Sequence, residues 1–279
     1  MAHAIINGVE LFHDEQGAGE PILFHHGYTG SHDAWDEIVP TISKRYRCIR
    51  MDCRGAGDSA HPDSGNTVEQ FADDVIGMAD HLGLERFTYV GHSMGGVVGM
   101  ELGIRHGARL NKLVLVAPAP ADGLTPSPAM LAMRERALRM RAEGRVDELV
   151  QEAVALSPRS TTGAVSRRMK RGWATSEAHV TGAMESMGAS RRGELLASVT
   201  TPTLVMAGAA DFLLGPNLKD FQRLPNATLH VFSRVGHGVN YDQPAEFSRV
   251  LLDFMEHGVV TQATLMDDLR NAAAAAKGK

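Results

Sequence analysis

Chemistry in this chain concentrates at Gly91-His92-Ser93-Met94-Gly95-Gly96. An apolar-aromatic run, Phe87 to Val90, leads into the motif and a small-residue helical run, Val97 to Ile104, leads out. A glycine-flanked serine between strand and helix has the pattern of a nucleophile elbow. The serine is held in a strained backbone geometry on a tight turn, and side chains in place of the glycines would collide with the adjoining strand and helix. Its hydroxyl then stands clear above the sheet edge. A G-x-S-x-G pattern alone also fits an ordinary glycine-rich junction, so the reading depends on partners elsewhere in the chain.

A serine hydroxyl is a weak nucleophile at neutral pH and needs a histidine base, a carboxylate to orient it, and donors for an oxyanion. Asp211 ends Gly208-Ala209-Ala210-Asp211, directly after the strand-like Thr203 to Ala207. That places it on a loop at a strand's carboxyl end, where ligands of open α/β sheets gather. His237 lies between glycines in Val235-Gly236-His237-Gly238, on a loop ahead of the last core helix, and fits the base. Asp122, among Pro118, Pro120 and Pro126 at the entrance to the helical interval, reads adequately as a linker carboxylate with a solvent role. For the oxyanion, the backbone N–H of Tyr28 in Phe24-His25-His26-Gly27-Tyr28-Thr29-Gly30 is one candidate donor. The N–H of Met94, at the start of a helix whose dipole favours negative charge, is the other. His25 and His26 read as loop-holding residues, since no third ligand at sensible spacing accompanies them, and His32 with Asp33 makes only a weak cluster. No metal is expected. Neither G-x-x-x-x-G-K-[ST] nor G-x-G-x-x-G occurs, so no nucleotide cofactor is expected either.

The elements that must position these residues alternate in the manner of a parallel sheet flanked by helices. Ala4 to Ile6 and Val9 to His13 are strand-like and joined by Asn7-Gly8, a strong hairpin signal, so the chain opens antiparallel. Six short runs read as buried strands of the parallel part: 21–24, 46–51, 87–90, 112–116, 203–207 and 227–232. The clearest helix spans Thr67 to Leu82, with Val68, Phe71, Val75, Met78, Ala79 and Leu82 at helical spacing and Gly83 as a stop. The expected fold class is therefore α/β, with a mostly parallel eight-stranded sheet.

One interval breaks the alternation. From Ala119 to Ala197 only amphipathic helical patterns occur, which predicts a helical cap over residues 119–197 inserted into a core of residues 1–118 and 198–258. Between Leu124 and Arg192 there are 12 Lys or Arg against 7 Asp or Glu, net +5, and a solvated face carrying Arg134, Arg141 and Arg145 explains that surplus. Met130, Met133 and Met140 form an apolar stripe with Ala137 that is expected to line a substrate pocket, although such a stripe also suits plain core packing. The tail, residues 259–279, holds an alanine run with little to bury and is read as mobile or as a contact between copies in a homo-oligomer.

Composition bounds the partners. The 279 residues are 43% hydrophobic and 22% charged, with a formal net charge of −5, so nothing suggests nucleic acid as a partner. No apolar run approaches membrane-spanning length, and no basic segment followed by an apolar run opens the chain. Cys48 and Cys53, five residues apart, are poorly spaced for a stabilising disulfide, and reduced thiols point to a cytoplasmic setting.

From Ile5 to His257 the chain resembles the α/β-hydrolase superfamily, in its branch with a helical cap. The resemblance rests on the elbow and on the order Ser93, Asp211, His237. It also rests on Met51-Asp52-Cys53-Arg54-Gly55-Ala56-Gly57-Asp58-Ser59, which is similar to the family's Asp-x-Arg-Gly-x-Gly-x-Ser segment, and on Gly236-His237 with Gln243-Pro244. It implies that Asp52 and Arg54 organise their loop and that Ser93, Asp211 and His237 form a triad needing no cofactor; relatives that carry the acid after the sixth strand would nominate Asp122 instead, and Asp211 is preferred. A serine at the elbow argues against haloalkane dehalogenases and epoxide hydrolases, which use a carboxylate there. The implied activity is hydrolysis, through an acyl-enzyme, of a carboxylic ester or lactone of small to medium size and largely apolar character, since His92 and Met94 resemble esterase elbows. Alternatives on the same scaffold are a C–C hydrolase acting on a vinylogous diketone, a non-catalytic receptor for a small ligand, and a perhydrolase, whose relatives put Trp where Tyr28 stands.

Overall fold

Asn7 and Gly8 both adopt positive φ, 49° and 77°, and fold the first two strands into a hairpin. In the computed structural model, which describes residues 2–125, 128–156, 162–261, 264–266 and 269–271, β1 (Ala2–Ile6) and β2 (Val9–Gln16) are antiparallel with Ile6 opposite Val9. The sheet continues through β3 (Pro21–His25), β4 (Arg47–Met51), β5 (Phe87–His92), β6 (Leu110–Val116), β7 (Thr203–Gly208) and β8 (Ala227–Phe232). Its order is β1-β2-β4-β3-β5-β6-β7-β8, and every pairing from β4 to β8 is parallel. The hairpin followed by six parallel strands agrees with the sequence reading. One strand differs. The run 227–232, read as buried, is the sheet's outer edge: most of β8 is half-buried and Val231 is exposed, because only one flank has a neighbour.

The helices are α1 (Val39–Ile42), α2 (Val68–His81), α3 (Met94–His106), α4 (Pro128–Ala142), α5 (Val146–Leu156), α6 (Thr162–Trp173), α7 (Glu177–Gly188), α8 (Leu214–Arg223), α9 (Val239–Asp242) and α10 (Pro244–His257). Alternation along the strands sorts their side chains into two cores. Leu23, Leu113, Leu115 and Val205 meet α2 and α3 on one face. Ile22, Phe24, Val114, Val116, Leu204 and Met206 meet α1 and α10 on the other. Helix α2 buries Val68, Phe71, Val75, Met78 and Ala79, five of the six positions that its spacing predicted, while Leu82 follows the last turn and is half-buried. Its first turn is capped by the Thr67 side chain, which accepts from the Gln70 N–H at 3.3 Å. Inside this face the Arg54 guanidinium donates twice to the Asp74 carboxylate, at 2.6 Å each, and Asn7 donates to the same carboxylate at 2.9 Å. The hairpin turn, the loop after β4 and α2 are thereby joined at one buried point.

Helices α4 to α7 lie between β6 and β7, and α7 is fastened to the core at several atoms. The Ser176 N–H donates to the Gly55 carbonyl at 2.9 Å, and the Val68 N–H donates to Ser186 Oγ at 2.9 Å. The Tyr28 hydroxyl donates to the Val180 carbonyl at 2.8 Å, and His179 Nδ1 donates to the Arg54 carbonyl at 2.8 Å. Arg171 on α6 pairs with Asp58 at 2.7 Å and Asp33 at 3.3 Å. Arg192 pairs in a buried setting with Glu101 at 2.5 Å and also with Glu69. Of the tail, 264–266 and 269–271 carry helical turns with Leu265, Met266 and Leu269 exposed. Among the described residues no helix is long and apolar enough to cross a membrane.

His179 is fully buried against Phe71, and that burial pushes its pKa down to about 4. The folded chain therefore holds a neutral ring where the unfolded chain takes up a proton below about 6.5. Between those values the unfolded state binds more protons, so stability is full above the window and is lost as pH falls through it. His179 alone is expected to cost about 2 kcal/mol between pH 7 and pH 5. Urea denaturation at the two pH values measures the drop, and His179→Gln should shrink it by about that amount.

Candidate active site

Ser93 sits between β5 and α3 at φ 54°, ψ −108°, a backbone conformation rarely adopted by residues with a side chain. Three backbone hydrogen bonds of 2.9 Å pin it there: Ser93 N–H to the Val116 carbonyl, and both Ala119 N–H and Gly96 N–H to the Ser93 carbonyl. The flanking glycines are sterically required. A Cβ on Gly91 would overlap the Gly95 carbonyl, and one on Gly95 would lie 2.7 Å from the His25 carbonyl oxygen.

His237, on the loop after β8, reaches Ser93 and Asp211 with its two ring nitrogens. Its Nε2 lies 2.9 Å from Ser93 Oγ and its Nδ1 2.9 Å from Asp211 Oδ2. An ionised carboxylate only accepts, so these partners assign the proton to Nδ1 and leave Nε2 to accept from the serine hydroxyl. The Asp211 side chain is buried, and its second oxygen accepts the Leu213 N–H at 3.1 Å. The imidazole is 32% exposed, open enough to meet a substrate. His92 donates from Nε2 to the His237 carbonyl at 3.0 Å, and its ring lies 4.9 Å from that of His237.

These groups line a cavity of about 580 Å³. Its wall is largely apolar: Met169 and Trp173 from α6, Val180, Met184 and Met187 from α7, Phe212 after β7, and Leu124. Tyr28 lines the same cavity from the turn after β3. The neighbouring Gly27 backbone runs so close that a Cβ there would lie 3.1 Å from Ser93 Cβ. Met94, the residue after the serine, opens α3 and is fully buried.

The other sequence candidates fall elsewhere. Asp122 lies apart from His237, with its carboxylate accepting from Lys219 at 2.7 Å and Arg223 at 2.8 Å, contacts that lower its pKa. Met140 is buried in α4 and is absent from the described lining of the Ser93 cavity, because α4 packs on α5. The side chains of Met130 and Met133 lie outside those described. The methionines that line the cavity are others, Met169 from α6 and Met184 and Met187 from α7. Trp173 and Phe212 went unremarked in the sequence, where a single aromatic in a helix or loop has no periodic partner to mark it.

His25 and His26 are fully buried, and desolvation lowers the pKa of both. His26 donates from Nδ1 to the Gly27 carbonyl at 2.8 Å and accepts the Cys53 N–H at Nε2, at 3.0 Å. It therefore holds the turn that carries Tyr28. Cys53 Sγ lies 2.8 Å from His25 Nε2, and burial pushes its thiol pKa well up, as it pushes that of Cys48 up to about 12. His32, Asp52 and Asp58 bring potential ligand atoms within 4.8 Å of one another. Asp52 is already committed: one oxygen accepts the His32 N–H, and the other meets His32 Nδ1 at 2.9 Å and the Asp58 N–H at 2.8 Å. Burial pulls the His32 pKa down, but Asp52 outweighs it and the net shift is upward.

The whole chain finds counterparts among known proteins. A non-heme haloperoxidase from Rhodococcus erythropolis is 29% identical over 90% of this chain and 97% of its own length. A 2-hydroxy-6-oxononadienedioate/2-hydroxy-6-oxononatrienedioate hydrolase from Dechloromonas aromatica (strain RCB) is 25% identical over 89% and 91%. The crystal structure of an enol-lactonase from Burkholderia xenovorans LB400 superposes with a TM-score of 0.78 at 24% identity, covering 92% of this chain and all of that one. The sequence pattern described as the alpha/beta hydrolase fold matches residues 20–244. With the eight-stranded sheet, that match shows that the chain belongs to the α/β-hydrolase family.

Proposed function

We propose that this protein is a serine hydrolase that cleaves a carboxylic ester or lactone of small to medium size and largely apolar character. The observation that carries the reading is the unbroken hydrogen-bonded line from Ser93 Oγ through His237 to Asp211, set in an apolar cavity. In the proposed reaction His237 Nε2 takes the serine proton as Oγ attacks the carbonyl carbon. Asp211 holds the ring in the required tautomer and stabilises the imidazolium that forms. The Tyr28 and Met94 N–H groups receive the developing oxyanion. His237 then protonates the leaving oxygen, and the same histidine activates water to release the acid.

Residues 119–197 act in this reading as a cap whose α6 and α7 side chains roof the acyl group and exclude water. Residues 1–118 and 198–258 form the core. No metal or cofactor enters the chemistry, and the two buried thiols suit a reducing cytoplasm.

A second reading has one observation behind it, the likeness to the Dechloromonas hydrolase named above: a C–C hydrolase using the same serine on a vinylogous diketone. A receptor that keeps its triad is a third, distinguished by slow single turnover with tight retention of ligand.

Steady-state hydrolysis of p-nitrophenyl esters from two to twelve carbons separates these readings. Ser93→Ala is expected to lower kcat by about 10⁶-fold if the triad acts as a unit. Absence of turnover on every ester and on a lactone panel would sink the proposal and favour the diketone or the receptor. Asp211→Asn keeps the shape but donates where the carboxylate accepted, so the ring takes the wrong tautomer and kcat should fall about 10⁴-fold. Asp122→Asn should leave turnover within about twofold, and a loss as deep as that of Asp211→Asn would move the acid to Asp122.

A further inference from the structure

A second cavity, of about 720 Å³, opens beside the first. Two residues, Leu124 and Phe212, line both this cavity and the one over Ser93. Phe212 directly follows Asp211, and its ring lies 5.7 Å from that of His237. It is also 60% exposed, so its ring presents apolar surface at the junction of the two cavities.

The rest of the wall is mostly apolar. Pro120, Leu213 and Pro216 supply apolar surface, and Thr125 is the one uncharged polar side chain among its described residues. The charged groups already have partners: Asp122 accepts from Lys219 and Arg223, and Asp220 accepts the Ala121 N–H at 2.9 Å and Arg223 at 3.4 Å. A charged ligand would have to displace those pairs, whereas an apolar one only has to displace water. Space is ample, since a cavity of about 150 Å³ already holds a benzene ring.

We infer that this second cavity is a subsite for an extended apolar arm of the substrate, an alkyl chain or aryl group attached to the scissile ester, which passes between Leu124 and Phe212 while its carbonyl stays at Ser93. The inference rests on the ester or lactone reading and deepens it: the preferred substrate is one with a long apolar arm. Each methylene entering the subsite should raise kcat/KM by about fourfold until the cavity is filled.

Gly215 provides the test. It lines the second cavity and is absent from the described lining of the first, and a Cβ built on it meets no atom within 4 Å. Gly215→Trp is therefore chosen to fill the subsite from a position outside the Ser93 cavity, and Gly215→Ala controls for the loss of glycine. Two ester series are compared, one lengthening the acyl chain from two to twelve carbons and one lengthening the alcohol of an acetate over the same range. The series in which kcat/KM of the wild type climbs identifies the arm. In that series Gly215→Trp should lose at least tenfold on the ten-carbon member and less than twofold on the two-carbon member, with Gly215→Ala close to wild type. Equal losses at every length, or no loss in a variant with unchanged thermal unfolding, would overturn the inference while leaving the esterase reading intact. If the wild type cleaves no ester, calorimetric binding of decanoate and decanol decides the matter. Tenfold weaker binding of either to Gly215→Trp upholds an apolar subsite, and equal or absent binding overturns it.

Discussion

Every contact at the cavity floor depends on the Ser93 backbone staying at φ 54°. A non-glycine residue in such a region costs on the order of 1–3 kcal/mol, and the surrounding structure has to over-determine it. Here the restraint comes from three backbone bonds to β6, the loop beyond it and the first turn of α3, and from two glycines that let α3 approach β5 and β3. The strand order then sets the rest. β5 and β7 are separated by β6, about 10 Å at ordinary strand spacing. That gap between the loop carrying Ser93 and the loop carrying Asp211 is what an imidazole with a hydrogen bond at each nitrogen spans. β8, beside β7, delivers it from the flank. All three side chains leave the carboxyl ends of parallel strands, where the helix starts and loops of this architecture converge.

The turn bearing Tyr28 has two supports of different origin. His26 ties it to the loop after β4 through the Gly27 carbonyl and the Cys53 N–H. The Tyr28 hydroxyl ties it to α7, 152 residues away in sequence. The loop after β4 is held in turn by Arg54 on Asp74 and by Asp52 on His32 and Asp58. Residues that touch no substrate in the proposed reaction therefore fix the donor's position, and the neutral, desolvated histidines His25, His26 and His179 serve there as rigid hydrogen-bonding pieces rather than as titrating groups.

What could be read in the sequence was what is local. The hairpin followed from Asn7-Gly8, α2 from its apolar spacing, and the elbow from glycines around Ser93, because each is specified by neighbours in sequence. The preference for Asp211 over Asp122 agrees with the contacts, Asp211 on His237 and Asp122 on Lys219 and Arg223. Which methionine meets the cavity was not legible: Met140 and Met184 both lie on inserted helices, and spacing along a helix does not say against what a side chain packs. The exposure of β8 depends on its rank in the sheet, which no feature within residues 227–232 encodes. The role of the Tyr28 hydroxyl depends on a carbonyl at position 180, a contact without any residue type to announce it.

The positive surplus of the inserted helices, net +5 between Leu124 and Arg192, bears on which substrates the cavity favours. A surplus of that size facing a cleft would select anions. Four of its described members instead face acids. Arg136 pairs with Glu152, Arg145 with Glu143 and Glu148, Arg171 with Asp33 and Asp58, and Arg192 with Glu69 and Glu101. No Lys or Arg is among the described residues lining the Ser93 cavity, and Asp33, the one carboxylate there, is held by Arg171. The helices spend their charge on attachment to the core and on one another, and present methionine, tryptophan and valine inward. Selection at such a wall acts through shape and apolar area rather than through charge, so chain length and bulk are what this cavity can discriminate.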